Sequence, residues 1–248
     1  MKIEKNFKRL QRNDQISKVL GYLRGEGRVI PMIFDGKKCY GFLDERLFIS
    51  TRLNTKQKIR GFDIKVEVVG EEISPEDAAR EMIKSYCRFA PVGENDKNIY
   101  GYLKATTAIR ELIQTKGGIN VRKISDPVIS LMKDEPMGKA INLLKNLIAV
   151  PLVDENNRLY GTIEKRYLIK FIADQKRPER GAYVSDKGES VSRPANLYSS
   201  KFAPTCAEDS ELNEEVLGYL DDFGYCFACR GGEVKGIIAP LTILRALL

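Results

Sequence analysis

The chain has 248 residues and a net charge of +7, and 43% of its residues are hydrophobic and 30% charged. This balance is typical of a globular protein that buries a core of ordinary size. Histidine and tryptophan are absent. Because histidine is the commonest general base and the commonest metal ligand, its absence disfavours catalysis, and we expect the chain not to be an enzyme.

The charge and the amino-terminal segment bear on location and partners. No apolar run is long enough for a transmembrane helix, and residues 1–14 are too charged for a signal peptide, so we expect a cytoplasmic protein that contacts no membrane. The positive charge favours anionic partners. The alternative is a solvated surface with a modest excess of lysine, because the charge is spread along the chain. The content of lysine, arginine, glutamate and isoleucine is typical of a thermophile.

A repeat of 60 residues runs through most of the chain. In three segments, beginning at Pro31, Pro91 and Pro151, the proline is followed nine positions later by Tyr-Gly. A weaker fourth copy has Cys226 in the place of the proline and Lys235-Gly236 in the place of Tyr-Gly. The expected repeats are 1–60, 61–120, 121–173 and 199–248, with a polar linker at 174–198.

The same elements recur along the chain. In the first repeat, Asp35-Gly36 predicts the turn of a hairpin. The second repeat begins with a predicted helix, because Ser74 provides a cap and Pro75 a first helical position before apolar residues at helical spacing as far as Tyr86. The third predicts strand–turn–strand over 147–163 and a closing helix over 167–172. One such βαββα unit cannot cover its own apolar face, so paired units are expected.

The third repeat resembles a CBS (cystathionine-β-synthase) domain at 126–130, 149–155 and 158–163, where the chain reads DPVIS, AVPLVDE and RLYGTI. This resemblance implies an α/β fold of four βαββα repeats, paired into two pseudo-twofold modules that form a disk. It also implies clefts between paired repeats that hold AMP, ADP, ATP or S-adenosylmethionine as regulatory ligands, with no cofactor required. Archaea have many stand-alone proteins of this kind.

The family has a ligand-binding pattern, Gly-Φ-Φ-Thr/Ser-x-x-Asp, that begins at the glycine of Tyr-Gly. In the family, the threonine or serine lies near phosphate and the aspartate binds ribose. None of the four copies in this chain keeps the aspartate. The two positions hold Asp44 and Leu47, Lys104 and Thr107, Glu164 and Tyr167, and Ala239 and Thr242.

The first and third copies nevertheless share an acidic residue followed two positions later by an arginine. We expect the acidic residues to bind ribose or an amine, and the basic residues to bind phosphate or another anion. The alternative is that these are ordinary helix starts, where acidic side chains are favoured by the helix dipole. The candidate ligand-binding residues are Asp44, Arg46, Lys104, Thr107, Glu164, Arg166 and Thr242.

Two further patterns are interpreted as packing. Cys226 and Cys229 form half of a metal or redox motif, but no second cysteine pair and no histidine accompany them, so we expect buried core cysteines. Tyr40, Tyr100 and Tyr160 recur at one strand position. Stacking on nucleic-acid bases is the alternative to the core or interface packing that we expect for them.

The leading hypothesis is a regulatory ligand-sensing module that transmits a shift between paired repeats to an unidentified regulated protein. The second hypothesis is a protein-interaction scaffold whose clefts bind no small ligand, which the missing aspartates favour. The third is nucleic-acid binding, which is supported by charge alone. Two pairs of repeats in one chain are compatible with a monomer or a homodimer.

Overall fold

The computed structural model describes residues 1–19, 29–44, 56–165 and 192–248. No helix within these ranges is both long and apolar enough to cross a membrane. The strands are β1 (Phe7–Gln11), β2 (Ile30–Asp35), β3 (Lys38–Leu43), β4 (Asp63–Lys65), β5 (Phe89–Gly93), β6 (Ile99–Lys104), β7 (Leu131–Met132), β8 (Ala149–Val153), β9 (Leu159–Glu164), β10 (Thr205–Ala207), β11 (Cys226–Arg230) and β12 (Glu233–Ile238). The helices are α1 (Pro75–Lys84), α2 (Ala105–Lys116), α3 (Val121–Ile124), α4 (Met137–Leu143), α5 (Glu214–Asp222) and α6 (Pro240–Leu247), and a 3-10 turn spans Ala195–Tyr198.

Each repeat is built on an antiparallel hairpin with a parallel strand or bridge beside it. In the first repeat, β1 runs parallel to β2, which pairs with β3. The third and fourth repeats have the same order, with β7 beside β8–β9 and β10 beside β11–β12. In the second repeat, β5 and β6 form the hairpin, and Val69 makes a parallel bridge to Val92. The expected class of four α/β repeats is confirmed.

The segment that leads into each repeat pairs with the hairpin of a neighbouring repeat. β4 leads into the second repeat and joins β3 of the first. Conversely, Glu4 at the start of the first repeat bridges to β6 of the second. The third and fourth repeats exchange segments in the same way, because Ser200 bridges to β9 and Asp126 to β12. This reciprocal pairing joins the first repeat to the second and the third to the fourth.

The glycine of the repeated Tyr-Gly lies where the leading segment approaches the hairpin. A Cβ atom at Gly41 or Gly101 would collide with a backbone carbonyl oxygen of that segment. At Gly161 it would lie 2.5 Å from the carbonyl oxygen of Ser200. A larger residue would therefore separate the two backbones, which explains why glycine recurs at this position.

Within the described residues, each buried cluster joins the side chains of two repeats. Phe34, Phe42 and Tyr102 pack between the hairpins of the first pair, and Tyr225 and Phe227 pack in the second pair. Between the pairs, one cluster joins the second repeat to the fourth, where α6 packs against α1 and α2. Another cluster joins the first repeat to the third. Odd-numbered repeats therefore pack on each other, and so do even-numbered ones.

The helix expected in the second repeat begins where its cap predicts. Ser74 accepts a 3.1 Å hydrogen bond from the backbone N–H of Asp77, and Pro75 occupies the first turn. The helix ends at Lys84, so the prediction that helical structure extends as far as Tyr86 is wrong for its last residues. Tyr86 has a φ of 52° and is exposed because the chain turns there toward β5.

The third repeat follows the expected hairpin, with β8 and β9 inside the predicted range of 147–163 apart from the last residue of β9. The closing helix predicted at 167–172 lies outside the described residues. Of the segment 174–198, the structure describes residues 192–198. Ala195 within this part is buried against the cluster that joins the first and third repeats.

Candidate functional site

A cavity of about 240 Å³ lies where the four repeats meet. Its volume is slightly below the roughly 300–1,000 Å³ typical of small-molecule sites. The apolar wall includes Leu43, Ile64, Phe89, Ile148 and Leu241. The polar side chains of the lining are those of Asp44, Tyr86, Arg88, Asn146 and Lys165.

The strand ends explain why these residues come together. Asp44 directly follows β3 and Lys165 directly follows β9, so both lie where the chain leaves a hairpin, with Lys165 one position beyond Glu164, the equivalent of Asp44. Arg88 directly precedes β5, and Ala239 follows β12. Because the paired repeats pack with these ends toward one another, one cavity receives a residue from each repeat.

Arg88 is the arginine in the lining of this cavity. Its side chain is half-buried, and its guanidinium carbon lies 5.0 Å from the ring centroid of Phe89. The guanidinium makes no hydrogen bond or ion pair with another residue of the described ranges. A partly buried guanidinium without a carboxylate partner is suited to bind an external anion.

Glu164 and Lys165 are buried at the end of β9, with 3% and 4% of their surface exposed. Lys165 lines the cavity together with Asp44. Glu164 instead lines an adjoining void of about 50 Å³, where its carboxylate accepts a 3.1 Å hydrogen bond from the hydroxyl of Tyr225. The structure therefore places Asp44 in the cavity and Glu164 beside it, in contact with the fourth repeat.

Lys104 and Thr107 lie in a separate groove of about 530 Å³ between α2 and α5. The ammonium of Lys104 lies 3.6 Å from the carboxylate of Asp221 and 4.0 Å from that of Glu4. Arg110, one turn into α2, lies 3.2 Å from Asp221. Because these cations face carboxylates of the chain itself, the groove does not carry an excess of positive charge.

The remaining candidate residues do not join either site. Thr242 donates a 2.7 Å hydrogen bond to Asp126, in the segment that leads into the third repeat. It lines neither the cavity nor the groove. Arg46 and Arg166 lie outside the described residues. Their binding of phosphate remains a prediction from the sequence.

Sequence reasoning missed Arg88, Asn146 and Lys165. A signal exists for Arg88, because it lies three residues before Pro91, and Arg28 has the same position before Pro31. The family pattern covers only residues that follow Tyr-Gly, whereas the cavity is also lined by residues at the start of the hairpin.

The two packing expectations are met in part. Cys226 is fully buried between the even-numbered repeats, as expected, whereas Cys229 is half-buried on the other side of β11.

The prediction of packed tyrosines is wrong for Tyr100 and Tyr160, which are 39% and 38% exposed. Both occupy the strand face that points away from the core, where alternation places every second residue.

Comparisons with known proteins agree with this architecture. A family model for the CBS domain matches residues 121–174. One similar crystal structure is that of MJ1225 from Methanocaldococcus jannaschii, a protein proposed as an archaeal homologue of γ-AMPK. The two structures superpose with a TM-score of 0.73 at 15% identity, and the match covers 99% of this chain and 97% of the MJ1225 chain. An uncharacterised conserved protein from Pyrococcus horikoshii has a TM-score of 0.57 at 17% identity, and the match covers 89% of this chain and 90% of the Pyrococcus chain.

This chain resembles CBS-domain proteins over the segment 121–174 that the family model matches. Its likeness to MJ1225 concerns the fold, since the identity is low. Among curated proteins, the uncharacterised MJ1404 of Methanocaldococcus jannaschii is 24% identical over an alignment of 241 residues that covers 93% of this chain. The chain spans 57% of the length of MJ1404.

Proposed function

We propose that the chain is a regulatory ligand-sensing module that binds an adenosine-type ligand with an anionic group in the cavity between the four repeats. The observation that carries this proposal is Arg88, which lies half-buried in that cavity without an ion pair to another described residue. Phosphate and carboxylate groups are the anions that a guanidinium binds best, through two parallel hydrogen bonds.

The rest of the cavity is compatible with the same ligand class. Phe89, Ile148 and Leu241 provide an apolar wall of the kind that accepts an adenine ring. Lys165 adds a second basic group, and Asp44 adds a carboxylate that can accept hydrogen bonds from ribose hydroxyls. The CBS family resemblance implies adenine nucleotides or S-adenosylmethionine as regulatory ligands of such clefts.

Regulation follows from the position of the cavity. A ligand that contacts all four repeats stabilises one arrangement of them over another, and it shifts the population toward that arrangement. A regulated protein that binds one arrangement then senses the ligand. The resemblance of MJ1225 to γ-AMPK supports a regulatory partner of this kind.

The test measures thermal unfolding with AMP, ADP, ATP, S-adenosylmethionine and, as an uncharged reference, adenosine. A ligand at a hundred times its dissociation constant adds about 2.7 kcal/mol of stability. We expect at least one phosphate-bearing ligand to raise the midpoint more than adenosine does. Arg88→Gln should weaken that ligand by roughly 10- to 100-fold, because a hydrogen bond to a charged group is lost.

Arg80→Gln is the matched control, because Arg80 is an exposed arginine on α1 whose ion pair with Asp77 is local. It should leave ligand affinity unchanged. If no adenosine compound shifts the midpoint, the ligand-sensing proposal is wrong and a protein-interaction scaffold becomes the better hypothesis. Salt-dependent binding of RNA or DNA would instead favour nucleic-acid recognition.

A further inference from the structure

Asp221 of the fourth repeat occupies the amino-terminal end of α2 in the second repeat. Its Oδ1 accepts a 2.5 Å hydrogen bond from the hydroxyl of Thr106 and lies 3.6 Å from Nζ of Lys104, and its Oδ2 accepts a 3.2 Å hydrogen bond from Arg110. α2 has 12 residues, and its cap residue, Lys104, makes no side-chain capping bond. The carboxylate thus supplies the negative charge that the free N–H groups and the dipole of this helix end favour.

Asp221 also stands between the groove and the central cavity. Lys104, Thr106 and Asp221 form one wall of a void of about 10 Å³, and Arg88 and Pro240 form another. A void of this volume holds about one water molecule. The carboxylate of Asp221 therefore borders both the groove and the void beside Arg88.

We propose that Asp221 is an internal anion that excludes phosphate groups from the groove between α2 and α5. The groove has room for a ligand, but the groups that would bind phosphate there already bind Asp221. Like charges in contact disfavour binding strongly, so a phosphate cannot simply share the site. This inference concerns the specificity of the groove and does not depend on the ligand proposed for the central cavity.

The surroundings of Asp221 strengthen the exclusion. The other acidic residues that line the groove are Glu4, Glu111 and Asp222, and its basic residues are Lys2, Lys104 and Arg110. The ammonium of Lys2 lies 3.3 Å from Glu4, and Arg110 is also bound at 3.0 Å by Glu214. Replacement of Asp221 by a neutral residue of the same shape would release Thr106, Lys104 and the end of α2 for an external anion.

The test uses inorganic phosphate as the probe and isothermal titration as the measurement. The parent protein carries Arg88→Gln, so that phosphate binding in the central cavity is weakened equally in both proteins, and it is compared with the double variant Arg88→Gln, Asp221→Asn. We expect the double variant to bind phosphate at least about tenfold more tightly, because a charge-assisted site gains donors and loses a like charge. The proposal is overturned if the two proteins bind phosphate equally.

Asp222→Asn, in the same parent, is the matched control. It removes the same charge from the same groove, whereas the bonds to Thr106, Lys104 and Arg110 are those of Asp221. An equal gain in Asp222→Asn would show that net charge alone governs phosphate binding, and it would also overturn the proposal. If Asp221→Asn does not fold, Asp221→Ala must give the same gain over the parent.

Discussion

Arg88 of the second repeat packs against Gly224 of the fourth, and a Cβ atom at Gly224 would collide with its Nη1. The backbone of Gly224 has a φ of 80°, a conformation that glycine adopts without strain. This contact holds the guanidinium at the boundary between the repeats, where it faces the central cavity.

Gly224→Ala should therefore destabilise the protein through two causes. The left-handed backbone costs an alanine about 1–2 kcal/mol, and the added methyl group also displaces the Arg88 guanidinium, the far end of a flexible side chain, at a smaller cost. Gly36→Ala is the control, because Gly36 has a φ of 61° and no atom of the described residues lies within 4 Å of a Cβ atom added there. Urea unfolding measures both, and equal losses in the two variants would contradict a role for the Arg88 contact.

A Gly161→Ala variant tests the close approach that explains the repeated glycine. The added methyl group would lie 2.5 Å from the carbonyl oxygen of Ser200 and would strain the two 2.9 Å hydrogen bonds between Thr162 and Ser200. We expect a loss of about 1–3 kcal/mol in the free energy of unfolding. For the comparison variant Gly218→Ala we expect a gain in the free energy of unfolding instead.

Gly218 lies inside α5, and within the part of the chain that the structure describes nothing lies within 4 Å of a Cβ at this position. Alanine in a helix interior is more favourable than glycine by roughly 0.5–1 kcal/mol, so Gly218→Ala should stabilise the protein. Opposite signs for the two substitutions would support the steric explanation. A stability of Gly161→Ala equal to that of the unmodified protein would contradict it.

Tyr225→Phe should destabilise the boundary between the third and fourth repeats. It removes the hydroxyl that donates to the buried carboxylate of Glu164 at 3.1 Å, and the loss of one partner of a buried polar group costs about 1–3 kcal/mol. Tyr100→Phe is the control, because Tyr100 also hydrogen-bonds a carboxylate, Glu94, but at the surface. Its effect on urea unfolding should stay within about 0.5 kcal/mol.

Tyr102 should contribute to loss of stability in alkaline solution. Burial, with the nearby charge of Glu4, raises the pKa of Tyr102 from 10.0 to about 12. Since the folded protein then holds this proton more tightly than the unfolded chain, the contribution is intact below pH 10.0 and is lost as the pH rises toward about 12. Tyr102→Phe should flatten the decline of unfolding free energy over this range.

The exposed Tyr86 provides the comparison for that measurement, since Tyr86→Phe changes the same chemical group outside the core. If Tyr102→Phe shows the same slope as Tyr86→Phe, the alkaline decline arises from other groups.

Much of the fold could be predicted because its signals are local and repeated. The cap at Ser74, the hairpin turn at Asp35-Gly36 and the glycine after each repeated tyrosine are each determined by a few neighbouring residues. The candidate site was predicted less well. Asp44 lines the cavity, whereas Thr242 binds Asp126 and Lys104 faces Asp221.

The sequence by itself determined the 60-residue repeat, the α/β class and the resemblance to CBS domains, because periodic apolar residues and turn residues specify local structure. Only the tertiary structure decided which charges meet. Arg88 lies 136 residues from Gly224 along the chain, and Thr106 lies 115 residues from Asp221. Contacts between repeats depend on how the two pairs pack, and no local pattern records whether an arginine there meets a carboxylate or an open cavity.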